Sequence, residues 1–182
     1  MQKTVILITG MPGTGKTTLI MQVTAALKAY GIKTGGMVTK EQREGGARVG
    51  FIIQDVSTSK RGWLAHVNQP NGPRIGKYRV NMGDLEDIGA KAIRDAIIAA
   101  DTIVIDEIGP MELHSQVFRQ EVQDAIMSGK PVVATIHYKA TDALVKAIKM
   151  RPEVELIEVT IQNRAKLHNI IIEKITRILR GS

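Results

Sequence analysis

Residues 4–18 read "TVILITGMPGTGKTT", a run of apolar and β-branched residues leading straight into three glycines, a proline and a lysine. The loop fits the spacing G-x-x-x-x-G-K-[ST], with Gly10, Gly15, Lys16 and Thr17 at the fixed places. Side chains are given up here so that a curled backbone can turn successive N–H groups inward on an anion. The stretch that follows, "KTTLIMQVTAALKAYG", repeats apolar residues at helical spacing (Leu19, Val23, Ala26, Leu27) and stops at Gly31. A helix therefore starts near Lys16 and adds the positive end of its dipole. Lys16 is placed to reach β- and γ-phosphates, and the Thr17 hydroxyl to ligate Mg²⁺. A plain glycine-rich turn is the alternative reading, but a buried strand before the loop and a helix after it are what a polyphosphate cradle requires.

The 182 residues suit one α/β domain over 1–182 with a substantial core, and 43% of them are hydrophobic. No apolar run approaches the roughly 18 residues needed to span a bilayer, so no membrane role is expected. The first apolar run is too short for a signal peptide and enters the loop directly, and the chain has no cysteine. A cytoplasmic protein is the expectation. The net charge of +7 suits anionic nucleotides or nucleic acid, but aromatics at 3% leave little for base-stacking platforms, so nucleic acid is the lesser expectation. Nothing in the chain points to a protein partner.

Strand and helix patterns alternate from end to end, which predicts a mostly parallel sheet flanked by helices. Strands are expected at 4–9, 48–55, 102–106, 131–136 and 154–159, and helices at 16–30, 85–100, 116–127, 142–149 and 165–180. Asp84 and Ser115 read as N-caps, and Gly129 as a helix stop. The segment from about 35 to 82 differs. It is rich in Gly, Arg and Lys, with strand-like pieces around "EGGAR" and "QPNGPR". It reads as β-hairpins inserted at one edge of the sheet, either a solvated insertion or a lid or base-binding flap.

A phosphate loop needs a partner that manages metal and water. "TIVIDE", residues 102–107, is an apolar strand ending in two carboxylates, at the end of a parallel strand where ligands gather. Asp106 is the candidate to hold Mg²⁺ with Thr17, and Glu107 the candidate to take a proton from an attacking water. A turn or helix cap is the plainer use of such a pair. "DEIG" also satisfies the D-x-x-G of GTP switches, but no guanine-reading N-K-x-D occurs in the chain. "PVVATIHY" is a further buried strand, with Thr135 and His137 near its polar end. Two readings of His137 are open, a γ-phosphate sensor and a satisfied strand-end histidine. Arg164, where a strand gives way to the last helix, either covers base or phosphates or is an exposed helix-start arginine.

With these residues assembled, the chain resembles the cancer-related nucleoside-triphosphatase family, small P-loop enzymes of prokaryotes and animals. The resemblance runs nearly full length through "GMPGTGKTTL", "GGMVTKEQREGGARVGF", "RIGKYRVNM", "VIDEIGPMEL" and "VELIEVTIQNR". The loop motif is generic; the "DEIG-x-MEL" stretch and the hairpin ending in "GF" are far more specific. Pro110 stands where members usually carry lysine, and Lys40 where an acid is common. The resemblance implies a RecA-like P-loop fold and Mg²⁺-dependent hydrolysis of nucleoside triphosphates (ATP, GTP, CTP, UTP) to diphosphates, with little choice among bases. It implies nucleotide contacts from Gly10, Met11, Pro12, Gly13, Thr14, Gly15, Lys16, Thr17 and Thr18, and from Asp106, Glu107, Ile108 and Gly109. Metal falls to Thr17 and Asp106, catalysis to Lys16 and Glu107.

Two other functions use the same loop. A nucleotide or small-molecule kinase would bind an acceptor at the insertion under an arginine-rich lid, for which Arg43, Arg48, Arg74 and Arg79 are available. A nucleotide-dependent binding module would hydrolyse slowly and switch a partner.

Overall fold

The computed structural model describes residues 3–181. Its centre is the strand read first: β1 (Val5–Thr9) has a parallel neighbour on each side, β8 (Val132–Ile136) and β9 (Val154–Glu158). A strand covered on both faces is apolar at every position, and β1 divides its residues by parity. Val5 and Leu7 join one apolar cluster, Ile6 and Ile8 the other. The second cluster is filled by α1 (Lys16–Ala29) through Leu19, Ile20, Val23 and Leu27, and by α6 (Arg164–Arg180) through Ile171 and Ile175. On the opposite face α3 (Lys91–Ala99), α4 (Gln116–Met127) and α5 (Ala143–Lys149) supply Ile93, Phe118, Val122, Val145 and Ile148. Three layers result, the sheet between two sets of helices.

Nine strands form one sheet in the order β5-β6-β4-β3-β2-β7-β8-β1-β9. Here β2 is Thr34–Glu44, β3 Ala47–Asp55, β4 Arg61–His66, β5 Arg74–Ile75, β6 Tyr78–Val80 and β7 Thr102–Ile108. The parallel part runs from β2 to β9, and β8 stands between the loop strand β1 and the acidic strand β7. Among the described residues no helix is long and apolar enough to cross a membrane.

The expected elements recur with boundaries moved by a few residues, and three expectations need correction. The segment 35–82 is not wholly an edge insertion, because Thr34 to Met37 pair in parallel with Thr102 to Ile105 of β7. Only beyond Met37 does β2 leave β7, and from Met37 on it pairs antiparallel with β3, closing a hairpin at Gly45–Gly46. Gly36 sits against the Val104 carbonyl at a positive φ of 108°, where any Cβ would collide, so a core position reads as loop. "QPNGPR" is the connection to a later hairpin, whose strands β5 and β6 meet across Gly76 and Lys77.

The helix expected at 85–100 starts early. Asn81 is its cap, accepting the Asp84 N–H at 3.2 Å ahead of α2 (Met82–Asp84), and a π-helical stretch Leu85–Ala90 leads into α3. The Asp84 carboxylate instead accepts the Trp63 N–H at 2.8 Å, tying this helix to β4. Ser115 caps α4 as expected, accepting the Phe118 N–H at 3.0 Å, and Gly129 follows its end at a φ of 77°.

Candidate active site

The phosphate loop curls between β1 and α1 with Gly13 and Gly15 at φ 80° and 96°, and the backbone of Gly15 opens the helix. Thr14 is buried and closes a turn through its hydroxyl onto the Met11 carbonyl at 2.8 Å. The Lys16 ammonium folds back across the loop, donating to the carbonyls of Gly10 (2.8 Å) and Met11 (3.3 Å). Met11, Pro12, Gly13, Thr17 and Thr18 are exposed, so the nest faces outward. Arg164, first residue of α6, leans over the same loop. Its guanidinium lies 3.6 Å from where a Cβ on Gly15 would stand.

A cleft of about 430 Å³ joins Lys16 and Thr17 to Asp106 and Glu107. Its far wall belongs to the antiparallel part of the sheet, including Glu41 and Arg48. Asp106 is buried; its Oδ1 accepts the Thr135 hydroxyl at 2.5 Å, while Oδ2 is buried without a hydrogen-bond partner. Burial pushes its carboxyl upward, opposed by the hydroxyls of Thr135 and Thr17 and by the Lys16 charge. An orphaned carboxylate oxygen beside a threonine hydroxyl and a phosphate cradle fits a hard divalent cation. No group of three His, Asp or Glu side chains among the described residues could cage a metal, so such an ion would share its ligands with the phosphates.

Glu107 sits in the same cleft with its carboxyl pushed up to about 7, first by burial and then by the neighbouring Asp106 charge, with Lys16 opposing. Gly109 makes room for it: a Cβ there would stand 2.5 Å from Glu107 Oε1 and 3.0 Å from Glu112 Oε2. Glu112 itself is fully buried in the cleft wall, and burial with the Glu107 charge holds it well above the usual carboxylate range. A base poised near neutrality beside a carboxyl that favours its proton is an acid–base arrangement.

The expected residues are not all brought together. Ile108 is wholly buried in the core, and neither it nor Gly109 lines this cleft. Thr135 is spent on Asp106 and does not reach the cleft, whereas His137 lines it, with its Nδ1 accepting the Lys139 N–H at 3.3 Å. Sequence reasoning passed over Glu112, whose only signal was an acid inside an otherwise apolar "MEL". It also passed over Glu41, which the hairpin register brings opposite Phe51.

A phosphate loop and an acidic strand on a mostly parallel α/β core define a P-loop NTPase. The chain belongs to the family described as NTPase, whose model matches residues 5–172. It is 48% identical over 159 residues to nucleoside-triphosphatase THEP1 of Thermofilum pendens, covering 87% of each chain. It is 46% identical over 177 residues to that of Methanosarcina acetivorans, covering 96% and 97%. Solved structures agree: the crystal structure of THEP1 from the hyperthermophile Aquifex aeolicus (TM-score 0.82, 32% identity, 94% and 98% covered) and a human cancer-related nucleoside triphosphatase (TM-score 0.80, 34% identity, 94% and 97% covered).

Proposed function

We propose that the protein is a Mg²⁺-dependent nucleoside-triphosphate phosphohydrolase that accepts ATP, GTP, CTP and UTP. The observation that carries this is one cleft holding Lys16, Thr17, the buried Asp106 and Glu107 together. The loop N–H groups and Lys16 hold the β- and γ-phosphates, and Lys16 exchanges the Gly10 and Met11 carbonyls for phosphate oxygens. Thr17 and Asp106 would hold Mg²⁺, which would offset charge on the transferring group. Glu107 orients water and takes its proton as the new O–P bond forms and the bond to the β-phosphate oxygen breaks, leaving diphosphate and inorganic phosphate. The motifs address phosphates and metal, and none reads a base, which is the basis for broad specificity.

The kinase reading weakens because its arginines are engaged within the hairpins. Arg43 and Arg48 bond Glu41, Arg74 the Gly76 carbonyl and Arg79 the Gly72 carbonyl. Phosphate release measured with each of the four triphosphates, with and without Mg²⁺ and without any acceptor, tests the proposal. Release from all four only with Mg²⁺ supports it, and no release without an acceptor favours the kinase.

A further inference from the structure

A second cavity, of about 350 Å³, adjoins the hydrolytic cleft and falls within the roughly 300–1,000 Å³ of small-molecule sites. It lies where β7 and β8 end, between residues 108–110, the short helical turn Glu112–His114 and the connection from β8 to α5. Pro110 and His137 line both spaces and so form the partition between them. Beyond the partition the lining is rich in donors. His137 accepts the Lys139 N–H on Nδ1, which leaves the proton of a neutral ring on Nε2. The exposed side chains of His114 and Lys139 make no hydrogen bond or ion pair among the described residues. Asp142 is the one carboxylate in the lining, and it is already spent. Arg119 grips both of its oxygens, the Leu144 N–H donates to Oδ1 at 2.8 Å, and Arg119 is fixed in turn on the Leu113 carbonyl at 2.8 Å. A space whose only negative charge is offset, with a free ammonium and free imidazole at its rim, suits an oxyanion.

We propose that this cavity binds inorganic phosphate beside the bound nucleotide and receives the phosphate that hydrolysis releases. The origin of that phosphate rests on the hydrolase reading; the anion site itself does not. When the bond to the β-phosphate oxygen breaks, the loop keeps hold of the diphosphate, which closes one side of the freed anion. The carboxyls of Asp106 and Glu107 stand on another side, and like charges at short range in a buried cleft repel strongly. The freed phosphate is therefore driven toward the nearest unengaged donors. These are the Nε2–H of His137 at the partition, then His114 and Lys139 beyond it. Pro110 has neither a side-chain charge nor a backbone N–H, so it gives the anion no hold and the partition does not trap it. No Phe, Tyr or Trp lines the cavity, so a base finds no large aromatic face there, and an inorganic anion is the better fit than a second nucleotide.

Inorganic phosphate is the probe. It is expected to inhibit ATP hydrolysis without competing with ATP, because the two occupy different spaces; competition with ATP would put it in the loop and overturn the proposal. On protein saturated with MgADP, potassium phosphate is expected to raise Tm above potassium chloride of equal ionic strength. The double variant His114→Ala, Lys139→Ala alters only exposed side chains without partners. It is expected to weaken both effects of phosphate by roughly 5- to 20-fold, read as the inhibition constant and as the phosphate concentration giving half the Tm shift. Single-turnover cleavage of ATP and stabilisation by MgADP are expected to stay as in the parent. Phosphate effects that persist undiminished in the double variant overturn the proposal, and so does the absence of the Tm shift in the parent, or of inhibition in a parent that hydrolyses ATP. A protein that shows the phosphate shift beside MgADP, loses it in the double variant and hydrolyses no triphosphate would refute the hydrolase reading and leave the anion site standing.

Discussion

Replacing Glu107 by glutamine should make the protein less active and more stable at once. The carboxyl is moved from 4.5 to about 7, chiefly by burial. At about 1.4 kcal/mol for each tenfold change, the ionised side chain costs the ligand-free fold roughly 3 kcal/mol. Below pH 4.5 the group is protonated in both folded and unfolded chains and costs nothing. As pH rises from 4.5 to 7 the unfolded chain gives up the proton first, and stability drains away until the folded group ionises too. Glutamine keeps the shape and never carries the charge, so Glu107→Gln should match the parent near pH 4 and exceed it at pH 8 by up to about 3 kcal/mol. For a chain of this length that is roughly 5–10 °C in Tm. Turnover at pH 8 should fall by about 10²–10⁴ with nucleotide affinity nearly kept, since the lost lone pair acts only on the water. Thermal unfolding of both proteins across pH 4–8, with single-turnover hydrolysis of ATP, makes the comparison. A stability gap that does not grow with pH would refute the electrostatic reasoning, and hydrolysis at the parental rate would show that the base lies elsewhere.

For the unmodified protein, kcat/KM should rise about tenfold per pH unit below 7 and level off above it, because the base works only when ionised; a flat profile from pH 5 to 8 counts against Glu107. Lys16→Ala should abolish measurable triphosphate binding in calorimetry while leaving the fold intact, as the loop loses its own ammonium group. MgADP at a hundred times its Kd should stabilise the parent by roughly 2.7 kcal/mol, and Asp106→Asn should remove the Mg²⁺-dependent share of that shift. Gly109→Ala should slow turnover with little effect on nucleotide affinity, because its Cβ would stand 2.5 Å from Glu107 Oε1 and 3.0 Å from Glu112 Oε2; an unchanged kcat would show that their placement is not critical.

The parts of the fold legible in the sequence are those where one force dominates. β1 is apolar from Val5 to Ile8 and β7 from Ile103 to Ile105 because both faces are covered there, and α4 carries its own cap in Ser115. The loop and the acidic pair were legible because phosphate chemistry restricts which residues can stand there. β2 was not, since Gly35 and Gly36 are chosen by close packing against Ala96, Ala100 and the Val104 carbonyl, contacts that exist only in the folded chain. The same holds for Asp84, whose partner Trp63 is remote in sequence, and for Glu112, which gains meaning only beside Glu107. Thr135 stood near the strand's polar end in the sequence, but its partner, the Asp106 carboxylate, is set only by the pairing of β8 with β7.

The unbroken strand β2 works as a cantilever, anchored beside β7 by Thr34 to Met37 and carrying the antiparallel strands on its free length. The wall bearing Glu41 and Arg48 is thus tied into the sheet by strand pairing, with no loop between it and the anchored length of β2. Enzymes that pass a phosphoryl group to a dissolved acceptor rely on hinged covers to keep bulk solvent from intercepting it. Here the wall over the cleft is sheet and not a loop-borne cover, an architecture suited to making water the acceptor.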